Sequence, residues 1–114
     1  MPFPEDQVVE LKLLCRDVSE VEEAGCTYLL LPGLNLPDGC SPARTDALLC
    51  PSARDGYASR LFFPEMVKST AKVQPNWNAN GVRIAERNWH AYSWKTGPGL
   101  RLAQMVAAHM KALR

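Results

Sequence analysis

The stretch Cys26-Thr27-Tyr28-Leu29-Leu30-Leu31, stopped at once by Pro32-Gly33, decides how the rest of the chain is read. It is rich in strand-forming side chains, and the proline–glycine pair marks a turn. Two shorter runs behave in the same way. Ala47-Leu48-Leu49-Cys50 is closed by Pro51, and Arg60-Leu61-Phe62-Phe63 is closed by Pro64. Turn-rich connections separate the three, with prolines at 32, 37 and 42 in the first and Asp55-Gly56-Tyr57 in the second. Strands that follow one another through turns fold back as an antiparallel meander. Upstream, Glu23-Ala24-Gly25 reads as a turn. Residues 17–23 are ambiguous, because Val18 and Val21 stand three apart rather than two.

Helices are expected at both ends. Pro4 followed by Glu5 and Asp6 is a helix-start signal with acid in the first turn. Val8, Leu11, Leu14 and Cys15 then recur at helical spacing, with Val9 and Leu13 widening the stripe, so a helix is predicted over about 5–16. Gly97-Pro98 opens the last segment, where Leu100, Ala103, Val106, Met110 and Leu113 form one apolar stripe and Lys111 and Arg114 suit the dipole of its end. This predicts a helix over about 98–113. Residues 64–97 contain Pro75, Gly81, Gly97 and three tryptophans, and read as a long irregular crossover. Loops of that length inside a compact domain are typically functional. The expected fold is α+β: a four-stranded antiparallel meander, an N-terminal helix, a long irregular crossover bearing the site, and a C-terminal helix, in one domain spanning 1–114.

The chain has 114 residues, 46% hydrophobic and 22% charged, which excludes a disordered, collagen-like or coiled-coil chain. No apolar run approaches the roughly 20 residues that span a bilayer. No basic stretch followed by an apolar one opens the sequence, so no secretory signal is expected. Four cysteines, at 15, 26, 40 and 50, contain no Cys-x-x-Cys pair and point to a reducing, cytosolic setting. Three lie in apolar runs as small hydrophobes; Cys40, in the turn Asp38-Gly39-Cys40-Ser41-Pro42, is expected to be exposed. Two histidines and scattered cysteines do not make a metal site, and no cofactor is expected. Net charge is +1 but divided: residues 1–64 carry five basic and ten acidic side chains, residues 65–114 eight and two. Such asymmetry can steer an acidic partner to one end. The basic residues are scattered rather than clustered, which argues against nucleic acid.

The crossover concentrates the chemistry. Pro75-Asn76-Trp77-Asn78-Ala79-Asn80-Gly81 offers asparagines that can donate to an oxyanion or make turns. In Trp89-His90-Ala91-Tyr92-Ser93-Trp94, His90 and Ser93 stand three apart, close enough to meet if the segment turns helically. A histidine beside a serine can act as its general base. No acid is placed in sequence to orient His90. Trp77, Trp89 and Trp94 are candidate core or interface anchors. His109, between Ala108 and Met110, is read as structural.

The order of elements resembles the ubiquitin-conjugating enzyme fold. Asp55-Gly56-Tyr57-Ala58-Ser59-Arg60 looks like that family's Tyr-Pro strand entry, with Ala58 in place of the proline. Gln74-Pro75-Asn76 is similar to its His-Pro-Asn segment, with Gln74 where histidine stands. Trp94 falls near its tryptophan before the second helix, and Trp89 to Ser93 has the Trp-x-x-x-Ser spacing of compact bacterial members. The likeness covers nearly the whole chain in short, degenerate motifs, without the last two helices of the eukaryotic fold. It implies a ubiquitin-like protein and an activating-enzyme-like protein as partners, with the first helix contacting the latter through Glu10, Lys12 and Arg16. It also implies a stress or phage-defence setting.

The chain departs from the family at the nucleophile. The cysteine would lie about eight residues after Asn76, where Ile84 and Ala85 stand, and the crossover holds no thiol. The resemblance then leaves three readings: a non-catalytic scaffold, an acceptor at Cys40, or an oxyester at Ser93 with His90 as base and Asn76 stabilising the oxyanion, a contact worth roughly 3 kcal/mol in comparable sites. The expected function is acyl transfer of a ubiquitin-like protein, with a non-catalytic binding module as the alternative.

Overall fold

A computed structural model describes residues 3–114. Helix α1 covers Glu5–Leu14, entered through Pro4 and carrying Glu5 and Asp6 in its first turn. It buries Val8 and Leu11 and stops where Cys15 turns extended, so Arg16 lies beyond it. At this stop the Cys15 thiol has two acceptors within reach, the carbonyls of Pro32 at 2.7 Å and Asp17 at 3.4 Å.

Six strands follow: β1 Ser19–Glu23, β2 Cys26–Asn35, β3 Arg44–Cys50, β4 Arg60–Phe63, β5 Asn76–Ile84 and β6 Arg87–Ser93. They form one sheet in the order β1-β2-β3-β4-β6-β5, every neighbouring pair antiparallel. The first four make the meander, and β4 falls where it was expected. The ambiguous residues before Gly25 resolve as β1, because pairing with β2 overrides their local spacing. The two are joined by Ala24 and Gly25 at φ of +52° and +79°, the backbone of a tight hairpin turn.

The crossover is the main correction. It is not irregular throughout: β5 and β6 form a hairpin within it, and β6 adds to the sheet beside β4. The sheet therefore has six strands, not four. β5 is an edge strand whose Asn76, Asn78 and Asn80 face solvent, and its ladder shifts register twice. A polar, bulged edge strand conceals its apolar alternation. The turn Ala85–Glu86 also lacks the usual glycine or asparagine, although both residues have positive φ, +50° and +65°.

Helix α2 spans Leu102–Met110 and runs into a 3₁₀ turn over Lys111–Leu113. It starts later than expected because Gly99, at φ +71°, belongs to the preceding loop. Leu102, Val106, Met110 and Leu113 face the sheet, joined by His109. Arg101 clamps the two helices together, its guanidinium donating to Glu10 at 2.9 Å and to Asp6 at 2.6 Å.

Two apolar layers result. The helices pack Leu11, Val106 and Leu113 against Leu29, Leu31, Leu49, Leu61 and Phe63. The opposite face of the sheet buries Tyr28, Leu48, Phe62, Ile84 and Trp89, a cluster to which no helix among the described residues contributes. The sheet manages this by curling on itself. The Glu23 carboxylate, in the first hairpin, accepts from the Ala85 backbone N–H at 3.1 Å in the last one. No helix among the described residues is long and apolar enough to cross a membrane.

Candidate functional site

The pairing of β5 with β6 sets Asn76 directly across from Ser93. Asn76 is exposed and Ser93 half-buried, and both line an open cleft of about 620 Å³. One wall of the cleft is the loop that leads into β5, including Lys72 and Val73. Trp94 and the 3₁₀ turn with Lys111 and Arg114 form the rest. The sequence-predicted serine and asparagine are thus brought together.

His90 is not brought to them. The segment is a strand, not a helical turn, so residues three apart point to opposite faces and stand about 10 Å apart along the chain. The His90 Nδ1 accepts a hydrogen bond from the Gly81 N–H at 3.2 Å, and among the described residues no hydrogen bond joins it to Ser93. The position where the resemblance places a cysteine is farther still. Ile84 and Ala85 lie at the opposite end of the hairpin from Ser93, roughly 20 Å away along β6.

Cys40 is buried, against the expectation from its turn, because Leu113 closes over it with a carbonyl 3.9 Å from the sulfur. Burial pushes its thiol pKa up, which makes the thiolate scarcer. Cys26 is the half-exposed thiol.

The three tryptophans take different places. Trp89, proposed as a partner-binding anchor, is only 1% exposed. Its indole donates to the Ile84 carbonyl at 3.0 Å and carries the Arg87 guanidinium 4.7 Å from its ring, so it is core. Trp77 is half-buried and meets Tyr92 and Phe63 edge-on, with ring centroids 5.1 and 5.9 Å apart. Trp94, 37% exposed, faces the cleft. On the first helix, Glu10 is half-buried and held by Arg101, whereas Lys12 and Arg16 are exposed.

A second serine–histidine pair went unseen in the sequence. Ser59 Oγ lies 2.9 Å from His109 Nε2 and 3.2 Å from Thr96 Oγ1. Fifty residues separate the pair, and only the packing of α2 on β4 joins them. Both side chains are 1% exposed, so no substrate reaches them. The His109 carbonyl accepts from the Tyr92 hydroxyl at 2.6 Å, while its Nδ1 has no partner among the described residues. Burial, and secondarily the Arg60 charge, pull its pKa down to about 4. Arg60, itself buried, donates to Asp55 at 2.9 Å, to the Tyr92 carbonyl at 3.1 Å and to the Asn78 side chain. The reading of His109 as structural agrees with this geometry.

Compared with known proteins, the chain matches no family model, no curated protein and no solved structure.

Proposed function

We propose that this chain is a ubiquitin-conjugating-enzyme-like binding module, which holds a ubiquitin-like protein in a conjugation pathway without forming a covalent bond to it. The order of N-terminal helix, meander and C-terminal helix supports the reading, while a β-hairpin stands where the resemblance implies an irregular crossover. The observation that carries its non-catalytic side is the fate of His90, whose Nδ1 is occupied by Gly81, while among the described residues no hydrogen bond joins the Ser93 side chain to a base. A serine hydroxyl is a weak nucleophile unless a base takes its proton. The Cys40 alternative fares no better, because that thiol is sealed beneath Leu113. The exposed Lys12 and Arg16 remain the contacts proposed for an activating-enzyme-like partner.

A second reading, transfer through a Ser93 oxyester, is favoured by one observation: Asn76 pairs across the strands with Ser93 and both line the cleft, and an asparagine amide beside a reacting serine can donate to an oxyanion. One experiment separates the two. The protein is mixed with an activating enzyme, ATP and the ubiquitin-like protein, then run on a size column and a denaturing gel. Co-elution without a covalent band supports the module. A hydroxylamine-sensitive band that Ser93→Ala removes overturns it in favour of the oxyester.

A further inference from the structure

We infer that the cleft between the Thr70–Asn76 loop and the Lys111–Arg114 turn is a receptor for an acidic peptide segment carrying one large apolar side chain. The inference concerns the chemistry of this surface and stands whether or not the partner is a ubiquitin-like protein.

Charge is the first argument. Lys72, Lys111 and Arg114 line the cleft, and no aspartate or glutamate does. All three are exposed. The ion pairs engage Arg54, Arg60, Arg87 and Arg101 instead, so among the described residues none of these three cations is in an ion pair. Lys95 adds a fourth exposed cation beside Trp94. Six of the twelve acidic side chains lie on α1 and β1, and Asp38 lines an adjoining pocket beside Arg114 rather than the cleft itself. The folded chain thus gathers into one concavity cations that are scattered in sequence. A concave surface of one sign raises the local concentration of the opposite one.

Apolar exposure is the second. Val73 is 83% exposed and Trp94 37% exposed, and both border the same cleft. An aliphatic side chain left that open beside cations suits a ligand with its own apolar group. The cavity, about 620 Å³, lies within the range of ordinary ligand sites and would take a few peptide residues.

Preorganisation is the third. The Gln74 side chain donates to the carbonyls of Ser69 at 3.1 Å and Ala71 at 2.8 Å, which holds the loop in its curve. Lys68 and Ser41 exchange backbone hydrogen bonds of 2.7 and 3.0 Å and anchor the loop's start. A wall fixed before binding reduces the ordering cost of binding. Nucleic acid fits less well, because single strands are held by successive aromatic platforms and this cleft presents one aromatic side chain beside an aliphatic one.

The test uses a short fluorescein-labelled peptide of aspartate and glutamate around one central leucine, read by fluorescence anisotropy. Saturable binding is expected, weakening as salt rises. Reversing two charges with Lys72→Glu and Lys111→Glu should weaken it about ten-fold. Trp94→Ala should weaken it several-fold and leave the salt dependence unchanged. If circular dichroism shows that the charge-reversed variant has lost its fold, Lys72→Gln with Lys111→Gln takes its place and should still weaken binding. The proposal is overturned if a lysine-based peptide of the same design binds equally well. Tighter binding of an oligothymidylate, or anisotropy indifferent to these substitutions, overturns it as well.

Discussion

The Ser59 hydroxyl lies 2.9 Å from His109 Nε2, and neither side chain meets solvent. The contact spans from the start of β4 to the end of α2, and Thr96 joins it from the loop that follows β6. Three separate pieces of chain therefore meet at the Ser59 hydroxyl, one of them through the His109 imidazole.

That imidazole makes stability depend on pH. In the unfolded chain His109 takes a proton near its ordinary value of 6.5; in the folded protein it does so only at about 4. Between those values the unfolded state binds more protons, so stability falls as pH falls through this window. The His109 contribution is fully present above about 6.5, and roughly 3 kcal/mol is lost by pH 4. Urea unfolding of the protein and of His109→Gln across pH 4 to 7 checks this. The difference between the two profiles should slope in that window, and parallel profiles would refute it.

The hairpin turn between β5 and β6 stores backbone strain. Ala85 and Glu86 both sit at positive φ, where a side chain crowds the backbone and costs roughly 1–2 kcal/mol per residue. Glu86→Asn should stabilise the protein by about 0.5–1 kcal/mol, since asparagine tolerates that conformation. The β-branched Glu86→Val should do the opposite. Thermal unfolding of the pair decides it: a valine variant as stable as the asparagine one would mean that the turn is not strained.

The tryptophans should separate by stability. Trp89→Ala removes a fully buried ring and should cost about 3–5 kcal/mol. Trp94→Ala should cost under about 1 kcal/mol, as expected for a residue outside the core. Equal losses in denaturant unfolding would contradict the division between a core and a cleft tryptophan.

Thiol chemistry gives a further check. Cys15, Cys40 and Cys50 are buried and Cys26 is half-exposed. A colorimetric thiol reagent should find one fast-reacting group in the native protein, and Cys26→Ser should abolish that phase. A fast phase that survives this substitution and disappears with Cys40→Ser would restore Cys40 as a candidate acceptor.

Much of this fold was legible where local pattern and tertiary packing agree. Arg60–Phe63 is four consecutive buried residues between a turn and a proline, and it forms β4 as read. The N-terminal helix followed from Pro4 and its first-turn acids. β5 was missed although Trp77, Ala79, Val82 and Ile84 are the more buried positions along it. Their alternation is interrupted at Gly81, and the intervening asparagines read as a turn. Within the site, the cross-strand meeting of Asn76 and Ser93 depends on a register that only the folded hairpin supplies. The same register separates His90 from Ser93, since three residues span one turn of a helix but reverse the face of a strand. Ser59 and His109 carried no sequence signal at all; long-range packing alone joins them.

The Glu23–Ala85 contact has a consequence for how this chain can change. It latches together two hairpin tips that lie 62 residues apart, at the two edges of the sheet that buries Tyr28 and Trp89. Lengthening either tip would pry the latch open, so that pole of the protein constrains insertion. Novelty has more room at the other pole, among the segments that frame the basic hollow, where added residues would reshape what is recognised and leave the latch undisturbed.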